Sequence, residues 1–248
     1  MGFPRVEWSV IIPAYNEALR LPAYLKDVVA YFEGRDVAFE VLVVDDGSTD
    51  DTAERVAEIA AGRPFIGVHV LPGNRGKGAA VREGMRRTQG ALKLMTDADG
   101  ATPIGEVERL EAAIRRGADV AVGSRVLRDP TVVRHTRLHR KLSGHVFNFI
   151  VRRLGVSGVV DTQCGFKLFR SAVAEDLFGA LSTDGFGFDV ELVLLAQGRG
   201  YRVVEVPISW ADQPGSKVGV LSDGPRMLRD IVAARWRLAR CGALRRAR

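Results

Sequence analysis

The sequence predicts an α/β fold in which a mostly parallel sheet is flanked on both faces by helices. Three observations carry this. Short apolar runs alternate with segments of helical periodicity through the first half of the chain, and the connections between them are short. The runs are also apolar throughout rather than alternating, as expected of strands covered on both sides. With 46% hydrophobic residues the chain can bury a large core, and its composition suggests neither disorder nor a collagen or disulfide scaffold.

The elements follow in order. Trp8 to Pro13 reads as a buried strand, and Leu19 to Phe32 carries apolar residues at helical spacing. Glu40 to Asp45 is a second buried strand. Ser48, Thr49 and Asp50 supply N-cap side chains for a helix reaching about Ala61. Ile66 to Leu71 is a strand, Lys77 to Thr88 a helix stopped near Gly90, and Ala91 to Thr96 a strand. Ile104 to Arg116 is helical, and Asp119 to Val122 is a short fifth strand. Beyond it the pattern loosens. An amphipathic helix is expected from His135 to Arg153, then a loop through Asp161 to Lys167. A helix from Val190 to Gly198, a strand from Tyr201 to Ile208 and a helix from Pro225 to Arg240 complete the chain. Residues 1–224 are expected to form the domain, and residues 225–248 a basic helix or tail.

Charge is unevenly spread. The net charge is +6, yet Pro225 to Arg248 alone holds eight arginines against one acid, Asp230. Arg134 to Arg153 has six basic residues, no acid and three of the four histidines. Such surfaces attract phosphates of nucleic acid, membrane or substrate. A nucleic-acid module is disfavoured by acidic clusters at the strand ends and by the lack of interleaved aromatics; an anionic membrane surface fits the C-terminal segment better. No apolar run reaches the length of a signal peptide core or a membrane span. Cys164 and Cys241 make no metal or disulfide pattern and read as free thiols of a reducing compartment. The expected location is therefore cytoplasmic and peripheral, on the inner face of a membrane.

In parallel sheets, ligands gather at the carboxyl ends of the strands. The polar residues there are Asn16-Glu17, Asp45-Asp46-Gly47-Ser48, Asn74-Arg75-Gly76-Lys77-Gly78 and Asp97-Ala98-Asp99, and all four clusters should converge on one crevice. Asp97 and Asp99, two residues apart at a strand end, can reach one hard cation, Mg²⁺ or Mn²⁺, and the diphosphate it bridges. One of Asp45 and Asp46 can accept hydrogen bonds from a ribose or base. The Asn74–Gly78 run departs from the Walker pattern; its backbone and Lys77 either face a diphosphate at a helix start or close a plain turn. Arg125 and Arg140 are candidate phosphate clamps. Asp189 and Glu191, two acids among apolar residues, are either a helix cap or part of an acceptor site.

Taken together, Pro13-Ala-Tyr-Asn-Glu17, Asp45 to Asp50, Asn74 to Gly78, Asp97 to Thr102 and Gly123-Ser-Arg125 resemble the inverting family 2 glycosyltransferases of the GT-A fold. Asp161 to Phe169, Phe188 to Leu192 and Gly215-Ser-Lys217 narrow the resemblance to the dolichyl-phosphate β-glucosyltransferases and their polyprenyl-phosphate relatives. The resemblance implies a Rossmann-like sheet and transfer of a hexose from a nucleotide-sugar donor to a lipid-phosphate acceptor. Pro13, Tyr15, Glu17 and Asp45 would hold the nucleoside, with Asp46, Lys77 and Ala98 beside it. Asp97 would lie by the ribose and diphosphate, and Asp99 would ligate the metal. Arg125 and Lys217 would contact phosphates, and Arg140 the acceptor. Mannosyl relatives often carry Gln where this chain has Ala101 and Arg where it has Ala211; both departures favour UDP-glucose over GDP-mannose. Alternative readings are a family 2 transferase with a polysaccharide, protein or small-molecule acceptor and Asp189 as its base, or a sugar-nucleotide pyrophosphorylase, against which no Gly-rich signature with a catalytic lysine stands near the N-terminus.

Overall fold

The computed structural model describes residues 6–135, 156–213 and 220–240. The elements are β1 (Trp8–Ala14), α1 (Leu21–Glu33), β2 (Phe39–Asp45), α2 (Thr52–Ala60), β3 (Ile66–Val70), α3 (Lys77–Arg87), β4 (Leu92–Met95) and α4 (Val107–Arg115), the last preceded by one 3₁₀ turn at Ile104–Glu106. Then come β5 (Val120–Ser124), β6 (Arg134–His135), β7 (Lys167–Arg170), α5 (Ser171–Ala180), α6 (Phe188–Gly198), β8 (Val203–Pro207), β9 (Trp210–Ala211) and α7 (Val220–Arg240).

Seven strands form one sheet in the order β3-β2-β1-β4-β7-β5-β8. All neighbours are parallel except that β7 runs antiparallel to both β4 and β5. The chain winds outward from β1 in one direction to β2 and β3, then returns to place β4 on the other side. That reversal opens a crevice at the carboxyl ends of β1 and β4, where an open sheet binds ligands.

The pleat explains the two cores. Trp8, Val10, Ile12 and Ala14 of β1 point to one face, where they pack with Leu25, Val28 and Phe32 of α1 and Val107 and Leu110 of α4. Ile11 points to the other and joins Met95, Val122 and Phe169 under Val81 and Met85 of α3, Leu177 of α5 and Leu192 of α6. Successive side chains of a strand face opposite ways, so a continuous apolar run is what two buried faces require.

Several expectations need correction. The Ser48-Thr49-Asp50 stretch does not begin a helix: α2 starts at Thr52, and Asp50 instead accepts the Thr52 N–H at 3.1 Å while Ser48 accepts the Asn16 N–H at 2.8 Å. The loop to Lys167 ends in the strand β7, and the helix α5 follows where none was expected. His135 lies in β6, paired with β9, rather than at a helix start; the rest of the expected His135–Arg153 helix lies outside the described residues. The C-terminal helix begins at Val220, before Pro225. Its Ile231 and Leu238 lie in the same core as α6.

Candidate active site

The loops after the strands are tied to one another by polar contacts. Asn16 takes a left-handed backbone, φ 54°, and its Oδ1 accepts the Thr49 N–H at 2.7 Å. Asn is among the few residues that tolerate this conformation. Glu17 N–H donates to Thr52 Oγ1 at 2.8 Å, so the β1 and β2 loops are held together at two points. Asp46 then joins the β2 loop to the next: its two oxygens accept the Arg75 and Gly76 N–H groups, each at 2.8 Å. Gly76, at φ 108°, turns the chain into α3, and a methyl there would lie 2.5 Å from the Asp184 carbonyl oxygen. One residue on, Lys77 Nζ lies 2.6 Å from Asp97 Oδ1 at the end of β4. The four clusters are thus linked in a chain: 16 to 48, 46 to 75, 77 to 97.

A fifth element closes on this crevice. The 161–166 loop puts Gly165 so close to Asp97 that a methyl would fall 2.0 Å from its Oδ2. Glycine is required there because the backbone itself backs the carboxylate. The loop is pinned at its start by Asp161, which accepts Arg125 Nε at 2.8 Å, Arg125 Nη2 at 2.7 Å and the Arg125 N–H at 2.9 Å. Burial works against the Asp161 carboxylate, but the Arg125 guanidinium overcomes it and holds the group below the usual carboxylate range. The buried thiol of Cys164 is pushed up to about 12, chiefly by desolvation, so it is an inert packing group.

Electrostatics sort the acids. Asp99 is raised above the ordinary carboxylate range, first by burial and then by the charge of Asp97. Two acids that oppose each other's ionisation lose that penalty when a divalent cation joins them. Lys77 is raised as well: burial disfavours its ammonium, but Asp97, Asp189 and Asp99 outweigh that. Among the described residues no third acid, His or Cys completes a metal cluster. Asp97 and Asp99 therefore fit a cation that draws its remaining ligands from a diphosphate and water, as Mg²⁺ and Mn²⁺ do.

Two of the predicted site residues turn inward. Asp46 spends both oxygens on backbone N–H groups and positions the 74–76 loop rather than meeting a ligand. Asp189 is 2% exposed and bonded to the fully buried Lys167 ammonium, which also donates to the Cys164 carbonyl at 2.6 Å. Held there, it cannot act as a general base. Glu191 satisfies the Ser182 side chain and the Thr183 N–H, each at 2.8 Å, and so builds the turn before α6. Of the residues expected to meet the nucleoside, Pro13 is buried in β1, Tyr15 is 36% exposed at its end, and Asp45 accepts the Ser48 N–H at 2.7 Å. Ala98 is buried between the two acids. Arg140 and Lys217 lie outside the described residues. Arg125 gives Nε and Nη2 to Asp161, so Nη1 and the exposed rim are what it offers an anion.

Sequence reading passed over Arg20. It bonds Glu17 through Nε at 2.7 Å and feels the charges of Asp99 and Asp97, which makes it a cation on the rim of the crevice. Its only signal was its place three residues after Glu17 in the β1 loop. The two departures at Ala101 and Ala211 meet in space: the Ala211 N–H donates to the Ala101 carbonyl at 2.9 Å, two residues from Asp99.

This geometry coincides with a sequence match to the profile described as Glycosyl transferase family 2, over residues 9–178. The chain belongs to glycosyl transferase family 2. This glycosyltransferase is 36% identical over 241 residues to dolichyl-phosphate beta-glucosyltransferase of Dictyostelium discoideum, covering 92% of this chain and 74% of that one. It is 36% identical over 247 residues to the human protein of the same name, covering 94% and 76%. Its fold matches the crystal structure of glucosyl-3-phosphoglycerate synthase from Mycobacterium tuberculosis in complex with Mn²⁺ and uridine-diphosphate-glucose, with a TM-score of 0.66 at 21% identity over 96% of this chain and 79% of that one. The family 2 enzyme is thus a GT-A glycosyltransferase, and the matched residues include the loops after β1, β2 and β4 that line the crevice.

Proposed function

We propose that this enzyme transfers glucose from UDP-glucose to a polyprenyl or dolichyl phosphate with inversion at the anomeric carbon. The observation that carries the reading is the pairing of Asp97 and Asp99 at the end of β4 with Lys77 at the start of α3. Opposed acids and an ammonium at a helix N-terminus are the parts needed to hold a diphosphate and its cation. The curated relatives are named as dolichyl-phosphate beta-glucosyltransferases, and a protein of the same fold was crystallised with Mn²⁺ and UDP-glucose.

Asp97 and Asp99 would hold Mg²⁺ or Mn²⁺, which supplies charge neutralisation for the departing diphosphate. Lys77 and Arg20 flank the same acids and add cationic character to the leaving-group side. The backbone at Gly76 is held by Asp46, so its position is set before the nucleotide arrives. A phosphate monoester acceptor has a second pKa near about 6 and arrives largely ionised. It requires orientation rather than deprotonation, which agrees with Asp189 being locked in a buried ion pair. Arg125 and Lys217 are the cations we assign to phosphates, Lys217 on the nucleotide-sugar side, and Arg140 is the one we assign to the acceptor.

The test is a transfer assay with UDP- and GDP-sugars and a short-chain polyprenyl phosphate, with and without added metal. Metal-dependent formation of a β-glucosyl lipid phosphate from UDP-glucose alone is expected. Turnover of GDP-mannose, or transfer only to polysaccharide or peptide, would reject the donor or the acceptor respectively.

A further inference from the structure

The C-terminal helix carries a face that the crevice does not use. Met227, Ile231, Ala234 and Leu238 of α7 are buried, and Ile231 and Leu238 enter the core shared with α6. On the outward side Leu228, Val232 and Trp236 recur every four residues and are 36%, 50% and 61% exposed. Ala239, also exposed, falls within the same stripe at 3.6 residues per turn. The same helical period sets Arg235 along one edge of the stripe, and Arg229 and Arg240 along the other. The Arg240 guanidinium stacks on the Trp236 ring, 3.7 Å from its centroid. Asp230, the one acid between Arg226 and Arg240, is turned inward against Gly187, where a methyl would meet its Cβ at 3.1 Å.

An apolar stripe bordered on both edges by arginines is the pattern of a helix lying in a bilayer interface; Asp230 answers one of them, Arg229, at 3.5 Å, and leaves Arg235 and Arg240 as the stronger headgroup cations. Arginine stems can follow the apolar surface while their charges reach lipid phosphates, and Trp is at home at that depth. A protein partner would need acids at both edges and an apolar ridge between; an anionic bilayer supplies both without any specific match. We infer that α7 docks this enzyme on anionic membranes with Leu228, Val232 and Trp236 inserted and Arg229, Arg235 and Arg240 at the headgroups.

The helix that carries the stripe is also tied to the loops of the crevice. The buried side of α7 contacts the 183–187 turn, where Arg237 Nη2 lies 3.4 Å from Thr183 Oγ1. That turn in turn receives the Ala79 N–H on the Asp184 carbonyl at 3.1 Å, two residues from Lys77. The α7 helix is therefore one turn of chain away from the N-terminus of α3. This deepens the lipid-phosphate reading of the acceptor, but lipid binding is measured without any transfer step and stands or falls separately.

The experiment is co-flotation of the full chain with vesicles of phosphatidylcholine alone or of phosphatidylcholine containing phosphatidylglycerol. Binding to the anionic vesicles is expected, weakened by salt, with a blue shift of tryptophan emission that is lost in Trp236→Phe. Val232→Glu and Trp236→Glu should each weaken binding by about tenfold or more. Each of Arg229→Gln, Arg235→Gln and Arg240→Gln should weaken it by roughly fivefold. Positions 229, 232, 236 and 240 are exposed, so for those four variants melting temperature and affinity for UDP with Mn²⁺ should be unchanged; that readout separates loss of docking from loss of fold. Equal binding to neutral and anionic vesicles, or binding untouched by the stripe variants, would overturn the inference. So would a stable dimer that Val232→Glu dissociates while no vesicle is bound.

Discussion

Asp97 and Asp99 are two residues apart and have different surroundings, which gives them different uses. Asp97 is answered by Lys77 at 2.6 Å, whereas Asp99 has the Ala101 N–H at 3.0 Å and a carboxylate raised by burial and by Asp97. A raised carboxylate is one whose charged form the fold disfavours, so it gives up stability at neutral pH that a bound cation would restore. Asp99→Asn should lower transfer by at least about 100-fold, the scale of losing one transition-state charge contact. Its melting temperature without ligand should be no lower than that of the wild type; a fall of several degrees would mark Asp99 as structural instead. Asp189 makes the opposite case. It too is raised, chiefly by burial, but its partner is the buried Lys167 ammonium. Removing one member of such a pair strands the other, so Asp189→Leu should cost about 3–5 kcal/mol in denaturant unfolding. The double change Lys167→Met with Asp189→Leu should recover most of that loss. At this scale the sequence showed which acids stand at strand ends, because apolar runs ending in Asp are plain to read. It could not show which of them turn inward, since Asp46 differs from Asp97 only in a partner that lies 29 residues away in the chain, and the partner that buries Asp189 of α6 lies 22 residues away.

The parallel strands and their helices were legible because each has its own period and its own breakers, from β1 to β5. β7 was not, because its four residues begin and end in basic side chains and only Leu168 and Phe169 are apolar. It forms a strand because Met95 and Val122 offer unpaired edges on both sides of Lys167, a tertiary fact. Nor was the start of α2, where Ser48 spends its side chain on the neighbouring β1 loop and Asp50 divides its oxygens between that loop and the Thr52 N–H, so the helix begins only at Thr52. The 161–166 loop gives the sharpest test at this scale. Gly165 has no left-handed φ to satisfy, so Gly165→Ala is tolerable to its own backbone, yet its methyl would fall 2.0 Å from Asp97 Oδ2. The carboxylate must move. Affinity for UDP in the presence of Mn²⁺, measured by calorimetry, should fall by about tenfold or more, while guanidinium unfolding changes by no more than about 1–2 kcal/mol. Unaltered UDP affinity would mean that Asp97 does not need its present place.

For the molecule as a whole, two kinds of carboxylate act on stability with opposite sign. Asp161 is held below its ordinary range by Arg125, so it contributes stability above about pH 4 that is lost as pH falls through its folded value. Asp46, Asp99 and Asp189 are raised and give the reverse. Arg125→Met should therefore move the acid unfolding midpoint, followed by circular dichroism, to higher pH. Ligand response follows from the same accounting of charge. With only two acids facing each other at the end of β4 and Lys77 already beside one of them, Mn²⁺ alone finds a weak site among the described residues. On the proposed function, a nucleoside diphosphate would change this by supplying further oxygen ligands and by adding negative charge beside Lys77 and Arg20. Heating the enzyme with Mn²⁺ alone, UDP alone and both together should thus give shifts that are not additive. At about 100 times its dissociation constant the joint ligand adds about 2.7 kcal/mol, which for a chain of this size is roughly 5–10 °C in melting temperature. Either component alone should move it by far less, and Asp99→Asn should remove the joint excess while leaving whatever UDP gives by itself. Equal shifts from Mn²⁺ with and without UDP would mean that the acids already form a complete metal site, contrary to the two-ligand geometry.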